Sequence, residues 1–229
     1  MLEADKIYNM DCLDGLGQLD SGCVDLVVTD PPYENVLISK KNDFMSNFRD
    51  KYFIELKNFN YNKFVFESKR VLKSNSHLYI FCANPEIFSW YKRFIYAGFK
   101  FMNLLIWVKN SQTFDLSCGY HYNNQHENCM FFCKGSRKLN SLGLSNVMFF
   151  DIYKGKYVHP TIKPLDMIKF LVNNSSNVGD LVLDPFMGSG TTAIASKSLG
   201  RHFVGFELSK YFFDIANNRI KNSGNDWFF

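Results

Sequence analysis

Apolar residues gather in short dense runs, and the stretches between those runs repeat at helical spacing. Val24-Asp25-Leu26-Val27-Val28-Thr29 is valine-rich and has the length of a buried parallel strand. Comparable runs lie at 6–11, 77–83, 101–108, 128–133, 181–184 and 202–207. Helical stretches lie between them at 61–72, 85–96, 164–173, 191–199 and 209–220. Such alternation predicts an α/β fold: a doubly wound, mostly parallel sheet with helices on both faces. A chain of 229 residues, 46% of them hydrophobic, suits a single domain over 1–229 with a sizeable core.

Two of the strand ends carry chemistry. The run at 24–29 stops at Asp30-Pro31-Pro32-Tyr33, because two successive prolines cannot continue a strand. Ligands of open α/β sheets bind at the carboxyl edge, where this tip belongs. The prolines have no N–H, which leaves their carbonyls as acceptors without a competing donor. Asp30 adds a carboxylate and Tyr33 a flat ring, so the tip suits a planar ring bearing an exocyclic amino group. A surface turn is the other reading, since Asp-Pro is common turn chemistry.

The second strand end reads Asp184-Pro-Phe186-Met-Gly188-Ser-Gly190-Thr191-Thr192, followed by a helical pattern. Gly188 and Gly190 permit close backbone approach, and free N–H groups at a helix start favour an anionic ligand group. Thr191 and Thr192 could cap the helix or donate hydroxyls to that ligand. Glu207 closes the next strand run, 23 residues beyond Asp184. An acid near that spacing holds ribose hydroxyls in α/β nucleotide folds. Position 193 is alanine, so the G-x-G-x-x-G spacing of an NAD-type oxidoreductase is absent.

Taken together, Asp30-Pro-Pro-Tyr33 and Asp184-Pro-Phe-Met-Gly-Ser-Gly-Thr-Thr192 resemble the S-adenosylmethionine-dependent amino-group DNA methyltransferases. The tetrapeptide precedes the glycine loop, which resembles the permuted order of the β class, found in bacterial restriction-modification systems. His159-Pro-Thr-Ile-Lys163-Pro164, Leu104-Leu-Ile-Trp-Val-Lys109 and His126-Glu127 resemble further segments of that family, and the likeness covers roughly residues 5 to 220. It implies a Rossmann-like, seven-stranded sheet whose last strand pairs antiparallel, and transfer of a methyl group to a base flipped out of double-stranded DNA. An aspartate at position 30 points within the family to adenine N6 rather than cytosine N4. The resemblance assigns Asp30, Pro31, Pro32 and Tyr33 to the target base. It assigns Lys163, Pro164, Asp184, Phe186, Gly188, Gly190, Thr191, Thr192 and Glu207 to the cofactor. Asp11 matches a contact to the cofactor's adenine, and reads equally well as a turn aspartate before 13–16. The alternatives are an N4-cytosine enzyme, an enzyme acting on RNA or a protein amide, and a methyltransferase-fold subunit without independent activity. A cognate restriction enzyme, a second methyltransferase and a second copy of the chain are the partners such an enzyme admits.

The net charge is only +4, so a nucleic-acid surface has to be local. Two segments fall outside the alternation. Residues 34–56, with Lys40 and Lys41, form a long loop directly after the tetrapeptide and read as a lid or DNA-binding loop. Residues 134–160 carry Arg137, Lys138, Lys154 and Lys156 among Phe149, Phe150, Tyr153 and Tyr157, which suits phosphate contact and base stacking. A solvated connection is the other reading of that segment; the resemblance makes it a short target-recognition segment. The six cysteines contain no C-x-x-C pair, and Cys129-Met-Phe-Phe-Cys133 reads as a buried strand, so reduced thiols and no metal are expected. No apolar run approaches transmembrane length and the first residues lack a signal-peptide pattern, so a cytoplasmic protein with no membrane partner is expected.

Overall fold

Strands and helices alternate along the chain as the patterning requires, in a computed structural model that describes residues 2–32, 59–109, 122, 124–152 and 162–223. The order is β1 (Lys6–Tyr8), α1 (Cys12–Gly17), β2 (Val24–Thr29), α2 (Tyr61–Val71), β3 (Leu72–Cys82) and a 3-10 turn at Asn84–Glu86. There follow α3 (Ile87–Tyr96), β4 (Lys100–Lys109), β5 (His126–Lys134) and β6 (Val147–Phe150). The chain continues with α4 (Leu165–Ser175), β7 (Leu181–Asp184), α5 (Thr191–Ser198), β8 (His202–Phe206) and α6 (Lys210–Asn222).

One sheet collects these strands in the order β1-β8-β7-β2-β3-β5-β4-β6. Only β5 runs antiparallel to its neighbours β3 and β4; β6 returns to the parallel direction beside β4. The described sheet therefore has eight strands where the resemblance implies seven. The extra one, β6, comes from the segment expected to recognise DNA. Its four residues are too few for a periodic signal, yet pairing with Ile106 to Lys109 buries Met148.

Helices cover both faces because successive residues of each strand point to opposite sides. Val27, Leu78 and Ile80 pack with Leu16 of α1, Phe64 of α2 and Trp90 of α3. Leu26, Val28 and Tyr79 pack on the other face with Met167 and Leu171 of α4 and Ala195 of α5. Arg70 fixes α1 against α2 by donating to the carbonyls of Leu16 at 2.7 Å and Leu19 at 2.8 Å. None of the described helices is long and apolar enough to cross a membrane.

The crossing of β8 under the glycine loop is tight. Gly205 pairs with Asp184, and a Cβ there would collide with the Met187 methyl and lie 3.0 Å from the Asp184 carbonyl oxygen. The methyl can swing aside, whereas the carbonyl cannot without moving the loop. Gly205→Ala is therefore expected to lower stability by about 1–3 kcal/mol. Urea denaturation checks this, and an unchanged midpoint would contradict the packing described.

Candidate active site

Winding direction fixes where the site lies. From β2 the chain crosses over one face to β3, and from β7 it crosses over the opposite face to β8 in the opposite direction along the sheet. The switch point falls between β7 and β2, where open α/β sheets form their ligand crevice. Val27 pairs with Leu183, so Asp30 and Asp184-Pro185 leave neighbouring strands about 4.8 Å apart. The two motifs face one crevice.

On the β7 side the glycine loop is shaped from within. Gly188 and Gly190 have φ of 53° and 85°, a left-handed backbone that glycine adopts without Cβ strain. Gly190 also sits against Ala216 of α6, 3.1 Å from where a Cβ would lie. Asp184 is buried and holds the turn: Oδ1 accepts from the Phe186 N–H at 3.0 Å, and Oδ2 from the Thr192 hydroxyl at 2.7 Å. Arg219 of α6 donates to the Ser189 carbonyl at 2.5 Å and to its hydroxyl at 2.8 Å. Glu207, also buried, accepts from the Gly188 N–H and the Ser209 N–H, each at 2.8 Å. Burial pushes both acids up against these hydrogen bonds, Asp184 to about 6 and Glu207 to about 7.

Beside the loop lies a shallow hollow lined by Met10, Asp11, Cys12, Phe59, Pro185, Phe186, Phe206, Glu207 and Leu208. Apolar walls with an acid on either side, next to glycines that leave no Cβ in the way, fit an adenosyl group. Phe186 is buttressed edge-on by Phe59, with ring centroids 5.6 Å apart. Asp11 caps α1 by accepting from the Leu13 N–H at 2.7 Å, as the turn reading expects, and its residue also lines the hollow. Thr191 and Thr192 are buried at the start of α5, and Thr192 serves Asp184.

On the β2 side the acid is not alone. Lys163, in the segment entering α4, donates to Asp30 at 2.5 Å and pairs with Glu127 at 3.1 Å. Glu127 in turn pairs with Lys109 at 2.6 Å. The Lys163 side chain is only 7% exposed and its ammonium lies 5.0 Å from the centre of the Phe81 ring. Burial works to raise the Glu127 carboxyl, but Lys163 and Lys109 outweigh it and hold it below its ordinary value. The resemblance assigns Lys163 to the cofactor; in the structure its ammonium pairs with Asp30 and Glu127. Pro164 is buried behind it as the N-cap of α4, and Pro31 is buried behind Asp30.

Sequence reasoning leaves Glu127 and Lys109 out of the site, although Lys109 ends a strand run on the ligand edge and Glu127 could order a loop near it. The missed signal is strand direction: β5 runs against its neighbours, so its beginning, not its end, lies on the crevice edge. The same reversal carries Arg137 and Lys138 away. They follow the end of β5, on the opposite edge of the sheet, about 20 Å from Asp30 by the length of the strand. There His77 Nε2 lies 3.1 Å from the Arg137 carbonyl, and Lys134 donates to the carbonyl of Lys69 at 2.7 Å. The structure thus does not bring these basic residues to the site. Tyr33, Lys40, Lys41, Lys154, Lys156 and His159 lie outside the described residues. Cys129 and Cys133 are buried and free in β5, and no cluster of metal-ligating side chains occurs among the described residues.

Fold and site define an α/β crevice with a glycine loop and a hollow on one side and an acid-proline tip on the other. Residues 24–158 and 147–218 match the N6_N4_Mtase family model, described as DNA methylase, and the chain belongs to that family. It is 28% identical to the type II methyltransferase M2.MboI of Moraxella bovis, over 93% of this chain and 86% of that protein. Identity to the type II methyltransferase M2.DpnII of Streptococcus pneumoniae is 27%, over 94% and 89%. Among solved structures, the M1.HpyAVI–SAM complex superposes with a TM-score of 0.72 at 26% identity, covering 93% of this chain and 98% of that one. PvuII DNA methyltransferase, described as cytosine-N4-specific, shares the fold at a TM-score of 0.75 and 18% identity, over 96% and 91%.

The two lifted acids make stability fall with pH. Unfolded, Asp184 and Glu207 ionise near 3.8 and 4.5; folded, they keep their protons to about 6 and 7. As pH rises from about 4 to 7 the unfolded chain gives up protons that the folded one retains, which favours unfolding. Glu207→Gln removes one such group while keeping an acceptor for Gly188. Its stability relative to the wild type is expected to rise between pH 4.5 and 7 and level off above. Urea denaturation across that range tests this; a constant difference would show that Glu207 is not held protonated.

Proposed function

We propose that the chain transfers a methyl group from S-adenosylmethionine to N6 of an adenine flipped out of double-stranded DNA. The observation that carries this reading is the single crevice in which the Asp30-Pro31 acceptors and the glycine loop emerge from adjacent strands. Membership of the DNA methylase family supports the substrate, and the M1.HpyAVI–SAM complex supports the cofactor. The type II relatives support a restriction-modification setting, with a cognate restriction enzyme or second methyltransferase beside it and the cytoplasm as its place.

When bound, S-adenosylmethionine supplies an electrophilic methyl on a sulfonium that is already a good leaving group. Asp11, Phe186, the backbone at Gly188 and Gly190, Thr191 and Glu207 would hold it, while Asp184 and Thr192 keep the loop in shape. Asp30 and the Pro31 carbonyl accept the N6 hydrogens, turn the nitrogen lone pair toward the methyl and stabilise the charge developing on N6. Extrusion of the base costs a few kcal/mol. Stacking on Tyr33 returns about 1–3 kcal/mol of this. Neither Cys82 nor Cys129 supplies a thiolate: burial holds Cys82 up to about 12 and raises Cys129 well above its ordinary value. The expected lid or DNA-binding loop, 34–56, lies outside the described residues.

Labelled methyl transfer to unmethylated bacterial DNA, followed by nucleoside analysis, is the test. N6-methyladenine is expected. Asp30→Ala should lower kcat at least about a hundredfold, the scale of one well-placed electrostatic partner, with cofactor affinity kept. N4-methylcytosine would overturn the target base. Absence of label in DNA despite cofactor binding would point to RNA, a protein amide or a missing partner subunit.

A further inference from the structure

Four charged side chains from four segments stand in a row at the target half of the crevice. Lys109 from the end of β4 meets Glu127 from the start of β5 at 2.6 Å; Glu127 meets Lys163 at 3.1 Å; Lys163 meets Asp30, after β2, at 2.5 Å. Lys109 uses Glu127 Oε1 and Lys163 uses Oε2, so one carboxylate bridges two ammonium groups. An ammonium buried as deeply as Lys163 needs an anion beside it at every stage of turnover.

We propose that Lys163 is a positioning residue for the methyl-accepting nitrogen rather than a cofactor ligand: it aims the Asp30 carboxylate and keeps it ionised, and Glu127 takes over its charge when Asp30 turns to the N6 hydrogens. This rests on the methyl-transfer reading above. An ionised Asp30 offers only acceptors, whereas a protonated one would set an O–H donor against an amino group that must itself donate. Among the described residues, Asp184 from β7 works against that charge, while the neighbouring thiols, Cys82 at the end of β3 beside Glu86 and Cys129 within β5, stay neutral. Lys163 is a cation paired directly with it. Lys109 keeps Glu127 from following Asp30, so the ammonium changes partner without being left bare in an apolar wall that includes Phe81.

The two ends of the relay respond in opposite directions. Lys163→Met removes the cation, so the acid limb of the kcat–pH profile moves up by a pH unit or more and kcat at pH 6 falls at least tenfold, with partial recovery at pH 8.5. Glu127→Gln removes a neighbouring negative charge, so the acid limb moves down. Its plateau kcat falls several-fold, because Lys163 loses the Glu127 anion and holds Asp30 more tightly. Lys163→Arg restores most of the wild-type profile. Calorimetric affinity for S-adenosylhomocysteine stays within about twofold in all three, and thermal unfolding confirms that each is folded.

A tenfold or greater loss of S-adenosylhomocysteine binding in Lys163→Met, with kcat and its pH profile unchanged, would make Lys163 a cofactor ligand and overturn the proposal. Equal shifts in the same direction for Lys163→Met and Glu127→Gln would overturn the relay. If instead the wild type itself methylates no DNA, the methyl-transfer reading fails, and the role assigned to Lys163 fails with it. An active wild type with unresponsive variants overturns the relay alone.

Discussion

Everything at the site depends on the parallel pairing of β2 with β7 through Leu26↔Val182 and Val27↔Leu183. The acid-proline tip and the glycine loop are far apart in the chain, and neither has a ligand site by itself. Their strands become neighbours only because β2 hands the chain to β3 on one side while β7 hands it to β8 on the other. Both prolines and glycines then act at the point where the sheet divides. Prolines end β2 and leave bare acceptors, and glycines let the opposite strand turn into α5 with its N–H groups facing the crevice. A reversed order of the two motifs along the chain changes nothing in this geometry, since the sheet and not the sequence order sets their distance.

The second determinant is the single antiparallel strand. Reversal of β5 puts Glu127, at its beginning, beside Trp107 of β4 and next to the end of β3. It also sends the chain off the far edge of the sheet at Lys134, so the basic run that begins there starts away from the crevice. Only β6 brings the chain back, parallel to β4 and ending at Phe150 on the catalytic edge. There the Trp107 indole donates to the Phe150 carbonyl at 2.8 Å, tying the return to the site.

Much of this was legible from residue order, for local reasons. The runs at 24–29 and 181–184 are strands at those bounds because each is a buried apolar run closed by a strand-breaking Asp-Pro. β3 begins five residues earlier than its apolar pattern, because Leu72 to Ser76 are largely exposed and polar and give no periodic signal. β6 escaped for want of length. The site divides in the same way. Asp30, Gly188, Gly190 and Glu207 carry signals in their own motifs, whereas the partners of Lys163 depend on strand direction and on where α4 enters. A lysine followed by a proline at a helix start says nothing about which carboxylate it will meet.

The two halves of the crevice treat their carboxylates in opposite ways, and this follows from what each half must hold. Asp184 and Glu207 are buried with backbone and hydroxyl donors but with no cation among the described residues, so burial wins and both are lifted. Glu127 is buried too, yet two ammonium groups lower it. A lifted acid beside a cofactor that carries a positive charge gains an incentive to ionise when that cofactor arrives, which strengthens binding only in the bound state. An acid that must accept from a neutral amino group has no such incentive from its ligand, and its charge has to be secured beforehand by the protein. Cations therefore belong on the target side and would be misplaced on the cofactor side. The row from Lys109 to Asp30 supplies them where the substrate cannot.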